Sequence, residues 1–224
     1  MAIQILFWFV SGLFFAIAPI EQVRSEHMKA TAPVADVEIG MAVAGLQRIA
    51  DAAPGEKIEI RTMLGRPVAL VSPREDRPRL YDLSTGRQIS PLPAKLAVQI
   101  AEADYVGDLR AAEVSLVTEE STEYRAALPA WRVDFDDDAN RALYVAHDTG
   151  VVTARRSTLW RTFDFLWSLH IMDFKNHEDF NTPLLIGATA LSLVMILAGI
   201  VLFPSRLGYN AWRRRRRSRA ASRL

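Results

Sequence analysis

The chain of 224 residues contains no cysteine. A disulfide scaffold, an iron–sulfur protein and a thiol nucleophile are therefore excluded. Histidine is scarce, with only His27, His147, His170 and His177, which leaves little material for a multi-histidine metal centre. No G-x-S-x-G, H-E-x-x-H, P-loop or G-x-G-x-x-G pattern occurs, so the commonest hydrolase and nucleotide-binding chemistries have no foothold. With 50% hydrophobic and 24% charged residues, the chain is neither a disordered tail nor a collagen-like fibre. The formal net charge of +1 shows no excess of either sign, but it averages over regions that differ sharply.

Two long apolar runs are present. Residues 2–20 read AIQILFWFVSGLFFAIAPI, uncharged, with Gln4 and Ser11 as the polar members. Residues 183–203 read PLLIGATALSLVMILAGIVLF, uncharged, with Thr189 and Ser192. As helices rising about 1.5 Å per residue, both approach the roughly 30 Å of a hydrocarbon core. Both are read as transmembrane helices. The first must be weighed against a cleaved signal peptide. It lacks a basic leading region, and Pro19 follows the cleavage-like Ala16-Ile17-Ala18, so an uncleaved anchor is expected. The missing basic start is also what a start codon lying upstream would leave.

All 26 acidic residues fall between Glu21 and Asp179, where the net charge is −7. Beyond the second run stand eight arginines and no acid: Arg206, Arg213 to Arg217, Arg219 and Arg223. Arginine flanking a membrane helix stays on the cytoplasmic side. The C-terminus is therefore expected in the cytoplasm and the central segment outside, in the periplasm of a Gram-negative cell. The arginine run also invites a nucleic-acid reading through phosphate neutralisation. Its place just after a membrane helix, with Tyr209 and Trp212 beside it, favours anionic headgroups instead.

The exported segment repeats itself. Residues 79–89 and 142–152 each place a Tyr, then a Thr-Gly turn, then a second strand, with Tyr81 and Tyr144 read as outward and 63 residues apart. On this alignment the second turn carries one inserted residue. Gly86 and Gly150 would take the positive φ of a tight hairpin. Upstream in the first copy, a helix is expected over 37–52, with a stripe of Met41, Ala44 or Gly45, Ile49 and Ala52. Strands follow over 57–63 and 68–71 around a Gly65-Arg66-Pro67 turn. The second copy offers a helix over 94–103 with Leu96, Ile100 and Ala103, then strands over 112–118, 130–135, 141–146 and 151–155. Each unit is one helix laid across a small antiparallel sheet, marginal alone at about 60 residues and more credible as a pair.

These pieces resemble the PepSY domain: Gly65-Arg66-Pro67-Val68, Tyr81-Asp82-Leu83-Ser84-Thr85-Gly86, and the stretch 144–151 with Ala146 where the family often shows Asp. Residues 6–13, Glu26-His27-Met28, 166–173 and 180–184 are similar to the membrane flanks of PepSY-associated proteins. Larger relatives carry four helices, and only two are read here. The resemblance implies two roles. PepSY modules in peptidase propeptides inhibit or assist folding, and the larger membrane relatives look like haem-linked or ferric-siderophore reductases.

The expected architecture is α+β: two PepSY-like helix-plus-antiparallel-sheet repeats flanked by two transmembrane helices. The order is a membrane helix over 1–20, a linker over 21–36, repeats over 37–91 and 92–157, an interfacial aromatic segment over 158–180, a second membrane helix over 181–204, and an Arg-rich tail over 205–224. The leading expectation is a non-enzymatic inner-membrane protein that binds a periplasmic peptidase or a membrane subunit. The small residues Gly187, Ala188, Ser192 and Gly199 offer a packing surface for such a subunit. The other reading is a redox accessory of iron uptake holding haem b. Trp160, Phe163, Trp167 and His170 share one helix face, and imidazole in aromatic surroundings suits haem iron. His27, just outside the first helix, would be the second ligand. The competing reading makes residues 160–174 an interfacial helix with His170 as one polar tip. Asp134, Asp136, Asp137 and Asp138 with Asn140 read as a turn rather than a Ca²⁺ loop. Glu119, Glu120 and Glu123 read as an exposed loop, and His147 as wet. His177, beside Glu178 and Asp179, lacks a second histidine at zinc spacing.

Overall fold

The computed structural model describes residues 2–31, 38–52 and 57–206; the arginine run after Arg206 lies outside them. The chain is α+β and forms two compact units. One comprises the residues up to Phe15 and those from Phe165 onward; the other runs from Ala16 to Asp164.

The Ala16–Asp164 unit holds two antiparallel sheets, each preceded by a helix. After the short helix α2 (Ile20–Val23), helix α3 (Ile39–Ala52) precedes strands β1 (Lys57–Met63), β2 (Arg66–Ser72) and β3 (Arg79–Asp82), and helix α4 (Ala94–Asp104) precedes β4 (Ala111–Val117), β5 (Ala130–Phe135), β6 (Ala142–Ala146) and β7 (Val152–Arg156). Each set pairs as an antiparallel meander, in the orders β1-β2-β3 and β4-β5-β6-β7. The β1–β2 hairpin turns on Leu64 and Gly65, both at positive φ (51° and 74°). Two consecutive residues of that hand match the twist of the flanking strands. The turn therefore sits one residue earlier than Gly65-Arg66-Pro67, and Arg66 and Pro67 already belong to β2.

The repeated hairpin is the same in both copies at the level of hydrogen bonds. In the first, the Asp82 N–H donates to Arg87 O and the Gly86 N–H to Asp82 O. In the second, the Ala146 N–H donates to Val151 O and the Gly150 N–H to Ala146 O. Gly86 and Gly150 both have positive φ (74° and 67°). The turns have equal length, so the expected inserted residue is absent there. Tyr81 corresponds to Val145, not to Tyr144. A further difference lies after the turn. In the first copy the return segment forms a single bridge, between Tyr81 and Gln88, rather than a strand. There the Leu80 N–H donates to Ser90 Oγ at 2.8 Å, and Pro91 has no N–H with which to continue a ladder.

This correspondence explains the packing. Helix α3 lies on the sheet face carrying Ala69, Val71, Tyr81 and Leu83, through Ala42, Leu46 and Ile49. Helix α4 lies on the face carrying Val133, Leu143 and Val145, through Ala97, Ile100 and Ala101, and the opposite face of the first sheet (Val68, Leu80) joins the same core. Of the expected stripes, Gly45, Ile49 and Ile100 are buried and Leu96 packs on the core, whereas three others point away; the side chain of Ala52 lies outside the described residues. Met41 is exposed, and so are Ala44 and Ala103. Tyr81 and Tyr144 are not outward: they are 5% and 2% exposed. The central strands are covered on both faces, with Tyr124 stacked on Tyr144 at 4.3 Å between ring centroids. All five residues of β6 are buried, and alternation cannot reveal a strand buried on both sides.

In the other unit, α1 (Ala2–Ile17) and α6 (Pro183–Arg206) carry the two apolar runs, and α5 (Thr158–Ile171), which starts in the Ala16–Asp164 unit, ends between them in sequence. Pro19 closes the first run early, as proline does inside a helical pattern. Among the described residues one helical stretch, Pro183–Phe203, is long and apolar enough to cross a membrane, with mean hydropathy 2.5. The apolar helix Ile3–Ile17 is shorter. Helix α5 ends at Ile171, three residues before the expected limit, where Met172 turns to φ 55°.

Candidate functional site

Helix α1 is apolar apart from one stripe. Gln4, Trp8 and Ser11 recur at steps of four and three, which aligns them on one face. Each is bonded to the last turn of α5. Gln4 Nε2 donates to Leu169 O at 3.3 Å, and Trp8 Nε1 donates to His170 O at 2.8 Å. The final carbonyls of a helix have no partner within it, so this stripe supplies the missing donors. Phe15, one turn on, packs its edge on Trp167 (5.9 Å) and on His170 (5.5 Å).

The Ser11 hydroxyl fixes the state of His170. Ser11 Oγ lies 2.6 Å from Phe7 O and 2.7 Å from His170 Nδ1. A serine has one hydroxyl proton, and a carbonyl can only accept. Ser11 therefore donates to Phe7 O and accepts from His170 Nδ1–H. The imidazole proton sits on Nδ1, and the lone pair is left on Nε2. Burial lowers the pKa of the ring, which favours the neutral form. A neutral imidazole with one nitrogen tied down and the other carrying a lone pair is the form that ligates metals. Trp167 stacks parallel to the ring (7°). A nitrogen donor of this kind would suit haem iron.

Below the helix, Asp173 organises the following loop. Its carboxylate accepts four backbone N–H groups, from Lys175, Asn176, Glu178 and Asp179, at 3.0–3.1 Å. Those donors hold it well below the usual carboxylate range. Trp167 Nε1 donates to His177 O at 3.1 Å, which ties the helix face to that loop.

His27 lies in the other unit, on a short 3₁₀ turn (Glu26–Met28), exposed, with Nδ1 3.5 Å from Glu21 O. His147 is not a wet turn residue. Its side chain is 19% exposed, Nδ1 is 3.1 Å from Asp148 Oδ1, and Trp131 lies against it.

A second polar cluster covers the outer face of the β4–β7 sheet. Glu123, expected as loop surface, is its hub. Its carboxylate binds Arg132 Nη1 at 3.3 Å, and Arg161 through Nε at 3.0 Å and Nη2 at 2.6 Å. Arg132 also grips Asp134 with Nε and Nη2 (2.7–3.0 Å), which raises its pKa. Asp137 is committed to Arg141, through the backbone N–H at 2.9 Å and the guanidinium. Two of the four aspartates of the supposed turn cluster thus serve arginines. Among the described residues no three His, Asp or Glu side chains converge as a metal site. A groove of about 580 Å³ passes over this face, lined by Glu113, Ser115, Arg132, Asp134, Arg141 and Arg161. The guanidinium groups of Arg132 and Arg161 are already occupied by carboxylates and carbonyls, so the groove is internally neutralised rather than an anion site.

The Gln4–Trp8–Ser11 stripe had a legible signal, the 4-3 spacing of the only polar groups in an apolar helix. Glu123 had none, because its partners come from residues 9 and 38 positions away. Compared with protein-family descriptions, with curated proteins and with solved structures, the chain finds no match.

Proposed function

We propose that this chain is a two-pass protein of a bacterial inner membrane. Its exported double PepSY-like domain binds a protein partner, a peptidase or a subunit of a membrane complex, and performs no reaction itself. One observation carries the reading. The 21 residues Pro183–Phe203 form an apolar helix of which 6% is buried. An apolar rod without protein cover needs lipid around it. Helix α1 is the first anchor. Its 16 residues span about 24 Å, and a bilayer adapts to a short helix by thinning. The arginine tail then lies on cytoplasmic headgroups, with no role in nucleic-acid binding. The acidic central segment lies outside. Protease added to intact spheroplasts should cut the 118–129 loop and leave a C-terminal tag whole. Loss of the tag with the loop intact reverses the topology. Pull-down of the tagged chain from solubilised membranes should then return a stoichiometric partner.

The state of His170 favours a second reading, a redox accessory of ferric-siderophore or haem-linked reduction. A bound haem b would supply one-electron chemistry. His170 would hold the iron through Nε2, with Ser11 fixing the tautomer. The protein purified in mild detergent would show a Soret band, lost in His170→Ala. A colourless protein that still returns its partner rejects this reading and leaves the first.

A further inference from the structure

Between α5 and α6 the chain closes a short loop on itself. Asp173 accepts the backbone N–H groups of Lys175, Asn176, Glu178 and Asp179. Holding Asp179 against Asp173 places the residues that follow them, Phe174 and Phe180, at the two ends of one closed ring of backbone. Both are large apolar side chains, and they are 59% and 56% exposed. The loop is also fastened to α5. Trp167 Nε1 donates to His177 O at 3.1 Å, and the rings of Phe180 and Trp167 meet edge to face at 5.5 Å. The bonds that fix the loop thus leave both phenylalanines outside its interior, where water is an unfavourable neighbour.

Helix α6 sets what lies beside them. Phe180 stands three residues before Pro183, where α6 begins. An extended chain advances at most about 3.6 Å per residue, so Phe180 lies within about 11 Å of that start. The apolar stretch Pro183–Phe203 has 21 residues. At 1.5 Å per residue it is about 31 Å long, which matches a hydrocarbon core of roughly 30 Å. Pro183 then marks the edge of the core. The next few ångströms outward are the headgroup layer, where aromatic rings concentrate. Lys175, Glu178 and Asp179 of the loop are exposed, and such charges belong in that layer rather than in the core. We propose that Phe174 and Phe180 seat in the phospholipid headgroup layer, on the bilayer face where α6 begins. They form an aromatic stop that fixes how far α6 slides through the membrane. This inference rests on reading α6 as a membrane helix, and on neither the protein partner nor haem.

The absence of cysteine lets each position be labelled alone. The full chain is reconstituted in nanodiscs of phosphatidylethanolamine and phosphatidylglycerol, with a small fluorophore on Phe174→Cys, Phe180→Cys, Glu119→Cys or Leu193→Cys. Glu119 is exposed on the 118–129 loop and serves as the aqueous reference. Leu193, exposed on α6, is the lipid reference. Lipid carrying a spin label high on its acyl chain should quench the Phe174→Cys and Phe180→Cys labels severalfold more than the Glu119→Cys label. Aqueous iodide should quench in the opposite order. Phe174→Cys replaces a mostly exposed ring, so its result holds even if Phe180→Cys loosens the contact with Trp167. Labels at both phenylalanine positions that iodide reaches as readily as the Glu119→Cys label overturn the insertion. Labels shielded from both quenchers overturn it as well, because protein then covers the rings. Lipid spin-labelled deep in the chain should quench the Leu193→Cys label. If it does while the phenylalanine positions are unquenched by lipid, the insertion alone falls. If it does not, α6 is outside lipid, and the membrane reading falls together with the insertion.

Discussion

A glycine decides how closely α3 approaches its sheet. A Cβ built on Gly45 would lie 1.9 Å from Leu83 O, a backbone atom that cannot swing aside. Gly45→Ala should therefore push helix and sheet apart and cost about 1–3 kcal/mol. Gly12→Ala, which meets nothing within 4 Å, is the matched control. Thermal melts of the two variants should differ by several degrees, and equal melting would mean the helix does not sit against Leu83. His170 gives a prediction in pH. Burial lowers its pKa in the folded chain, whereas the unfolded ring titrates near about 6.5. Below that value the unfolded state binds more protons than the folded one. The stabilisation is thus full above pH about 6.5 and declines as pH falls below it. Acidifying from pH 8 to 5 should lower the melting temperature, with a shallower slope in His170→Phe. A slope unaffected by that change would mean the ring is not desolvated.

At the scale of elements, Glu123 is what holds the 118–129 loop to the sheet and to the start of α5. Tyr124 adds its stacked ring and a 2.8 Å hydrogen bond to Ala127 O. Glu123→Ala leaves Arg132 and Arg161 without this acceptor and should cost roughly 1–3 kcal/mol. Glu123→Gln, which keeps the shape, should cost less. Limited proteolysis should find the loop cut faster in the alanine variant, and an unchanged rate would assign loop order to Tyr124 alone. Most elements could be read from the sequence. Strands 57–63 and 130–135 match β1 and β5 in full, because their turns and alternation agree locally. The helix faces were harder to read. Ala and Gly line α3 and α4, so hydrophobic period alone leaves the face uncertain by one position, and only the approach of Gly45 to Leu83 settles it. The tyrosines misled for a related reason: a strand covered on both sides carries no polar side to mark what is outward.

At the scale of the molecule, charge and hydropathy are partitioned along the chain. The two apolar runs bracket a segment of net charge −7, and the arginines follow the second. The proposed anchor has a direct probe in Leu193, 56% exposed on α6. Leu193→Arg places a charge near the bilayer midplane, which costs about 2.5–3.5 kcal/mol on insertion scales. The variant should partition partly into the alkaline-soluble fraction or be degraded. Full retention in the membrane pellet would move the anchor elsewhere. The succession of two helix-plus-sheet sets was legible as motif and spacing, whereas the equivalence of Tyr81 with Val145 was not. It is defined by which N–H meets which carbonyl, and letters do not record that.

Gln4 and Trp8 serve the final carbonyls of α5 as much as they serve their own helix. Deleting only the leading hydrophobic stretch to obtain a water-soluble fragment would strand those carbonyls and bare the rings of Trp167 and His170. A fragment meant for solution work should instead be trimmed at both ends, to about residues 20–164. The version shortened at its front alone should aggregate.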